Sequence, residues 1–251
     1  MKSILEVKNL SFAYEKNKKV LDGVNLCIEE GSVTAILGKN GCGKSTLLDC
    51  IIGYNDYEEG QVIIDKEDIK GLSPKELSKK VAYISQNTTI NLDYTVLEFI
   101  IFGRTCHLAF GSAPKEKDYK IAKENAEKLG ITHLFSKDIN KISGGERQLA
   151  FIARALTQES KIIVMDEPTA SLDYGNQLRL VEIIKELKEQ GKTIIFTTHN
   201  PELLKFLNCQ VVIMRDGKVI EKGDANELIT KERLKIIYGD IVEKYFVESL
   251  R

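Results

Sequence analysis

Val33-Thr34-Ala35-Ile36-Leu37-Gly38-Lys39-Asn40-Gly41-Cys42-Gly43-Lys44-Ser45-Thr46 is the stretch on which the fold turns. Val33 to Leu37 reads as a buried strand ending at Gly38, and Leu47, Leu48, Ile51 and Ile52 then repeat at helical spacing. Between strand and helix, Gly38 to Ser45 fits G-x-x-x-x-G-K-[ST] in the context that motif requires. Its glycines let successive backbone N–H groups turn into one concavity, an anion nest, and the helix N-terminus adds partial positive charge. Gly38, Asn40, Gly41, Cys42, Gly43, Lys44, Ser45 and Thr46 are therefore candidate nucleotide-binding residues. Lys44 suits the β- and γ-phosphates, the Ser45 hydroxyl suits Mg²⁺, and Thr46 is an extra phosphate contact.

Working outward, Val81 to Ile84, Ile162 to Met165 and Thr193 to Phe196 are further short strands, the last two apolar on both faces. Continuous apolar strands followed by helices predict a parallel sheet covered on both sides. Leu180, Ile183, Ile184 and Leu187 mark an amphipathic helix between the last two strands. Ile4 to Val7 and Gln61 to Ile64 read as strands with no crossover helix, and Asp216-Gly217 is a hairpin turn between Val211–Met214 and Lys218–Glu221. These predict an antiparallel portion beside the parallel one. Residues 87–159 carry few strand signals and read as a mostly helical insertion. The expected class is α/β, a P-loop NTPase core with a mixed sheet. Residues 1–86 and 160–251 would form that core and 87–159 an inserted α-helical subdomain.

Composition bounds the rest. The 251 residues are 43% hydrophobic and 29% charged, ordinary for a globular protein. Lys+Arg 36 against Asp+Glu 37 leaves a net charge of −1, which offers no bulk electrostatic argument for nucleic acid, so no nucleic-acid partner is expected. No stretch reaches the ~20 apolar residues of a membrane span, and the N-terminus lacks a signal-peptide layout. Cys27, Cys42, Cys50, Cys106 and Cys209 are odd in number and widely spaced, so free thiols are expected. At Cys42 a small residue that fits is favoured over a redox switch.

A second acidic site follows the strand at 162–165. Asp166 suits a metal-facing carboxylate, and Glu167 would orient or deprotonate the attacking water. Gln86 and His199 each end a strand; the Gln86 amide could ligate Mg²⁺ and contact the water, and the His199 imidazole could reach the γ-phosphate. Ser143-Gly144-Gly145-Glu146-Arg147-Gln148 reads as a capping box, Ser143 with Glu146, that also leaves room for a phosphate at a helix N-terminus.

The order of these pieces resembles the ATP-binding-cassette (ABC) ATPase family over essentially the whole chain. Gly38–Thr46, Gln86, Ser143–Gln148, Asp166-Glu167, Ser171-Leu172-Asp173 and His199 match its Walker A, Q-loop, signature, Walker B, D-loop and H-loop. Ile142 and Asn200 depart from the usual Leu and Asp. The resemblance implies ATP and Mg²⁺ as cofactors, with Ser45, Gln86 and Asp166 on the metal side and Glu167, His199 and Gln86 as catalytic residues. It implies a head-to-tail dimer with a second copy, in which Ser143, Gly144, Gly145 and Glu146 act in trans and Asp173 couples the sites. Tyr14 matches the aromatic that stacks on adenine.

Gly103-Arg104-Thr105-Cys106-His107, with Phe110 and Asp118, resembles a segment of importer ATPases for iron–siderophore, haem, cobalamin and related metal chelates or oxyanions. That implies membrane permease subunits and, through them, a substrate-binding protein. The chain would then sit peripherally at the cytoplasmic face of the cell membrane. The alternatives are an exporter ATPase subunit or a soluble single-cassette ATPase such as an iron–sulphur assembly factor. A nucleotide-binding scaffold without turnover is disfavoured by Glu167 and His199.

Overall fold

The computed structural model describes residues 2–16, 18–86, 93–170, 172–240 and 242. The chain opens with β1 (Ser3–Glu15), β2 (Lys18–Glu29), β3 (Val33–Leu37) and α1 (Lys44–Ile51). Next come β4 (Glu59–Ile64), β5 (Glu67–Asp68), α2 (Pro74–Lys80) and β6 (Val81–Ile84). A helical stretch follows, α3 (Val96–Ile101), α4 (Glu116–Lys128) and α5 (Gly144–Thr157), with short 3-10 turns between. Then come β7 (Ile162–Met165), α6 (Tyr174–Glu189), β8 (Thr193–Thr198), β9 (Gln210–Arg215), β10 (Lys218–Asp224), α7 (Ala225–Leu228) and α8 (Lys231–Tyr238).

Two sheets result, ordered β2-β1-β4-β5 and β10-β9-β3-β8-β7-β6. The first is antiparallel. In the second, β9, β3, β8, β7 and β6 run parallel and β10 closes one edge antiparallel. The mixed parallel and antiparallel sheet with flanking helices is the expected P-loop NTPase fold. Every residue of β3, β7 and β8 is buried, as strands covered on both faces must be. Alternation divides their side chains between two cores. Ile36, Val164 and Ile195 pack with α1 (Leu47, Leu48) and the antiparallel sheet (Leu5, Leu10). Ala35, Met165 and Phe196 pack with Ile100 of α3, Phe151 of α5 and Ile184 of α6.

One sequence expectation changes. The Asp216-Gly217 hairpin does not join the antiparallel sheet, because its first strand, β9, lies parallel to β3. A single short 3-10 turn, Glu202–Phe206, carries the chain across from β8. It is a crossover too brief to leave a helical pattern in the sequence.

Arg104, Asp118 and His107 are fasteners within the helical stretch. Arg104 donates Nε to Asp118 Oδ1 at 3.0 Å and Nη1 to the Thr157 carbonyl at 2.9 Å and Glu159 Oε2 at 2.6 Å. The His107 ring pairs with the Gln158 carbonyl at 2.8 Å. Arg104 and Asp118 are both buried, and Phe110 between them is fully exposed. The Lys115 backbone N–H, and then Arg104, hold the Asp118 carboxyl below the usual carboxylate range. Asp118→Ala leaves a buried guanidinium short of its partner and should cost about 3 kcal/mol in urea unfolding at neutral pH. Because the folded-state pKa is lowered, this stabilisation is complete above about pH 4 and is lost as pH falls through the lowered value. The gap between wild type and variant should therefore narrow on acidification.

Candidate active site

The loop between β3 and α1 is shaped by its glycines. Gly43 caps α1 with φ 102°, and a Cβ there would stand 3.0 Å from the Leu21 side chain and the Val20 carbonyl. No side chain caps α1, so its first-turn N–H groups keep their donors for an anion. The Lys44 ammonium is buried and donates to the carbonyls of Gly38 at 2.9 Å and Lys39 at 3.2 Å, bridging the loop it follows. The β9–β10 turn buttresses the loop from outside, the Gly217 N–H donating to the Cys42 carbonyl at 3.1 Å. Burial pushes the Cys42 thiol up against the smaller opposing pull of Lys44, so Cys42 is a protonated, packed side chain.

Parallel register brings the ends of β7 and β8 beside this loop. Asp166 and Glu167 follow β7, and His199 follows β8. Glu167 is in a left-handed conformation, φ 43°, an arrangement that costs a non-glycine residue on the order of 1 kcal/mol. Thr197 holds it there by accepting from the Glu167 N–H at 2.8 Å while donating to Asp166 Oδ1 at 2.5 Å. The Glu167 carboxylate then gathers three groups. Lys44 Nζ lies 3.5 Å from Oε1, and Gln86 Nε2 and His199 Nδ1 lie 3.4 and 3.1 Å from Oε2. A cleft of about 390 Å³ opens over them, lined by Val20, Asn40, Gly41, Gly43, Lys44, Ser45, Thr46, Gln86 and Glu167.

Tyr14 reaches this cleft from β1. Its hydroxyl lies 3.4 Å from Thr46 Oγ1 and accepts from Asn55 Nδ2 at 3.3 Å, while its ring is largely exposed. Asp166 is buried, and burial followed by the Asp166 charge raises the pKa of Asp49 on α1. The oxygen donors here, Ser45, Asp166 and the Gln86 amide, suit a hard cation. Among the described residues no three His, Cys, Asp or Glu side chains cluster to hold a metal. The donor set therefore fits a cation that brings phosphate oxygens with it.

The Ser143 capping box forms as read. Glu146 N–H donates to Ser143 Oγ at 3.2 Å, and Ser143 N–H donates to Glu146 Oε2 at 2.8 Å. None of Ser143, Gly144, Gly145 and Glu146 lines the phosphate-loop cleft. Gly145 faces α6 instead: a Cβ on it would stand 2.8 Å from Asn176 Nδ2. Asn176 also donates to Asp173, through its N–H at 2.8 Å and its side chain at 2.9 Å. Ser171 lies outside the described residues. Sequence reasoning missed Thr197, Asn55 and the contact made by Gly217. A hydroxyl ending a strand beside His199 is a faint signal for Thr197, and the other two have none.

A profile of the ABC transporter family matches residues 21–170. The chain belongs to the ABC transporter family. It is an ATP-binding cassette of that family, and such cassettes are ATPases. It is 35% identical over 242 residues to a probable iron chelatin transport ATP-binding protein of Helicobacter pylori, covering 96% of this chain and 94% of that one. It is 31% identical over 239 residues to the molybdate import ATP-binding protein MolC of Haemophilus influenzae, covering 95% and 89%. Among solved structures, a metal-chelate type ABC transporter in an inward-facing conformation superposes with a TM-score of 0.82 at 30% identity, covering 95% and 89%. A bacterial ABC transporter cassette solved as a dimer gives 0.78 at 30% identity, covering 88% and 98%. Cassettes of this family thus form dimers and belong to transporter complexes with membrane subunits.

Thr197→Val in this cassette keeps the side-chain shape and removes both hydrogen bonds. It should cost about 1–3 kcal/mol in denaturant unfolding, since the Asp166 carboxylate and the Glu167 N–H lose a buried partner. An unchanged midpoint would remove Thr197 from the site.

Proposed function

We propose that this cassette hydrolyses ATP to power import of a metal chelate or a related oxyanion through separate membrane subunits. The observation that carries the ATPase chemistry is the Glu167 carboxylate, set at the mouth of the phosphate loop with Lys44, Gln86 and His199 around it. Glu167 acts as general base, accepting the proton of the attacking water as its oxygen bonds to the γ-phosphorus and the ADP oxygen leaves. Before that step, nucleotide binding draws the Lys44 charge from Glu167 to the phosphates. His199 and Gln86 orient the carboxylate and the water. Ser45, Asp166 and the Gln86 oxygen would hold Mg²⁺, which would supply charge neutralisation at the phosphates. Tyr14 offers its exposed ring to adenine.

The signature helix serves a second copy. Gly144 and Gly145 lie away from the chain's own cleft, and a helix N-terminus stabilises phosphate only at close range. A head-to-tail dimer supplies that range in trans, with Asp173 linked through Asn176 to Gly145 at the junction. Residues 1–86 and 160–251 are read as the ATP-binding core and 87–159 as the helical subdomain.

The permease contact is assigned to a groove of about 1000 Å³ between these two parts, whose walls include Tyr57, Leu72, Leu77, Tyr83, Phe102 and Arg154. Among the described residues no helix is long and apolar enough to cross a membrane; bound to membrane subunits, the chain would be held peripherally at the cytoplasmic face. Support for import of a chelate or oxyanion comes from the relatives named for iron chelatin and molybdate.

Glu167→Gln should bind ATP with unchanged affinity and lose about a hundredfold or more in steady-state hydrolysis, a proton-transfer loss. Wild-type turnover in that variant would sink the base assignment. Co-expression with candidate permeases should yield a complex whose turnover exceeds that of the chain alone. Stimulation by a soluble partner, with no permease bound, would move the cassette to the soluble class.

A further inference from the structure

Residues 231–240 lie beyond the family match and carry no motif, yet they reach the site. Thr230 caps α8, accepting from the Arg233 N–H at 3.3 Å. Leu234 and Ile237 are buried in the larger core, and Arg233 pairs with Glu221 of β10 at 2.8 Å. Gly239 ends the helix with φ 85°. This anchorage delivers the phenol of Tyr238, itself packed against the core, to the loop after β8, where its hydroxyl donates to the His199 carbonyl at 2.8 Å.

We propose that Tyr238 is a positioning residue for ATP hydrolysis, holding the His199 peptide so that the imidazole stays on the Glu167 carboxylate. This rests on the reading of Glu167 and His199 as hydrolytic residues.

Among the described residues the loop has no comparable brace at that point. Its own hydrogen bonds span or follow His199: the Asn200 N–H donates to Thr198 Oγ1 at 3.0 Å and the Glu202 N–H to Asn200 Oδ1 at 3.0 Å. Those contacts shape the turn without touching the His199 carbonyl. The His199 side chain is about half exposed and meets Glu167 through one nitrogen at 3.1 Å. A ring so lightly enclosed takes its direction from its backbone, because the peptide plane sets where Cβ points. Burial, with smaller contributions from Cys42 and Glu167, pushes the phenol up to about 12. Tyr238 therefore stays a hydroxyl donor wherever the enzyme works. The link also makes α8 a handle: anything that shifts this helix shifts His199.

The test compares the full chain with Tyr238→Phe, His199→Ala and the double variant, by ATP hydrolysis against ATP concentration, nucleotide binding and thermal unfolding. Removal of one hydroxyl should lower kcat about threefold to tenfold, the scale of one neutral hydrogen bond. KM for ATP should hold within about twofold and the melting temperature within about 2 °C. In the His199→Ala background the same substitution should change the residual rate by less than about twofold, because the two act as one unit. Wild-type kcat in Tyr238→Phe beside a crippled His199→Ala overturns the positioning role and leaves the hydrolytic reading standing. Wild-type kcat in His199→Ala overturns that reading itself. An equal loss in both backgrounds makes Tyr238 a packing residue and also overturns the proposal.

Discussion

The site depends on one carboxylate held in place from several directions. Glu167 sits at a strained backbone position, and its two oxygens are divided among Lys44, Gln86 and His199. Those three come from the start of a helix and the ends of two different strands. No local sequence can assemble them. Only parallel strands in the order β3-β8-β7-β6 bring all of their carboxyl ends to one edge. With Lys44 and Glu167 in contact, neither buried charge is left alone, which limits the desolvation cost of both. On the mechanism proposed above, an arriving phosphate would compete for the same ammonium, so nucleotide binding and release of Glu167 would be a single exchange.

The two cores make that edge rigid. β3, β7 and β8 divide their side chains between the antiparallel sheet on one face and the helices on the other. Neither face can slide without exposing apolar surface to water. Helices α3 and α5 pack on the second of these faces, and the helical stretch is fastened by the buried Arg104–Asp118 pair and by Arg104 to the Thr157 carbonyl.

Much of this was legible in the sequence because it is local. The loop from Gly38 to Thr46, the capping box at Ser143 and the helix over Leu180–Leu187 each follow from residues within a few positions of one another. Backbone conformation and capping act over such distances. The hairpin at Asp216-Gly217 is legible as a turn, and β9 and β10 pair across it, but its place beside β3 is not, since that pairing partner lies far along the chain. Arg104, His107 and Asp118 read as marks of a class of importer, and the structure gives each of them a hydrogen-bonded place within the fold.

By itself the sequence determined the strand–loop–helix shaped for a phosphate, the paired carboxylates at Asp166-Glu167 and the family that owns both. Their chemistry is carried by residue type and short spacing. Only the tertiary structure decided that Thr197 braces Asp166 and Glu167, that Gly145 faces Asn176 rather than its own cleft, and that Tyr238 grips the His199 carbonyl. Each of these joins residues about 30 or more positions apart through single atoms. Hydrogen bonds of that kind leave no periodicity to read, and they exist only once packing has put donor and acceptor within about 3 Å.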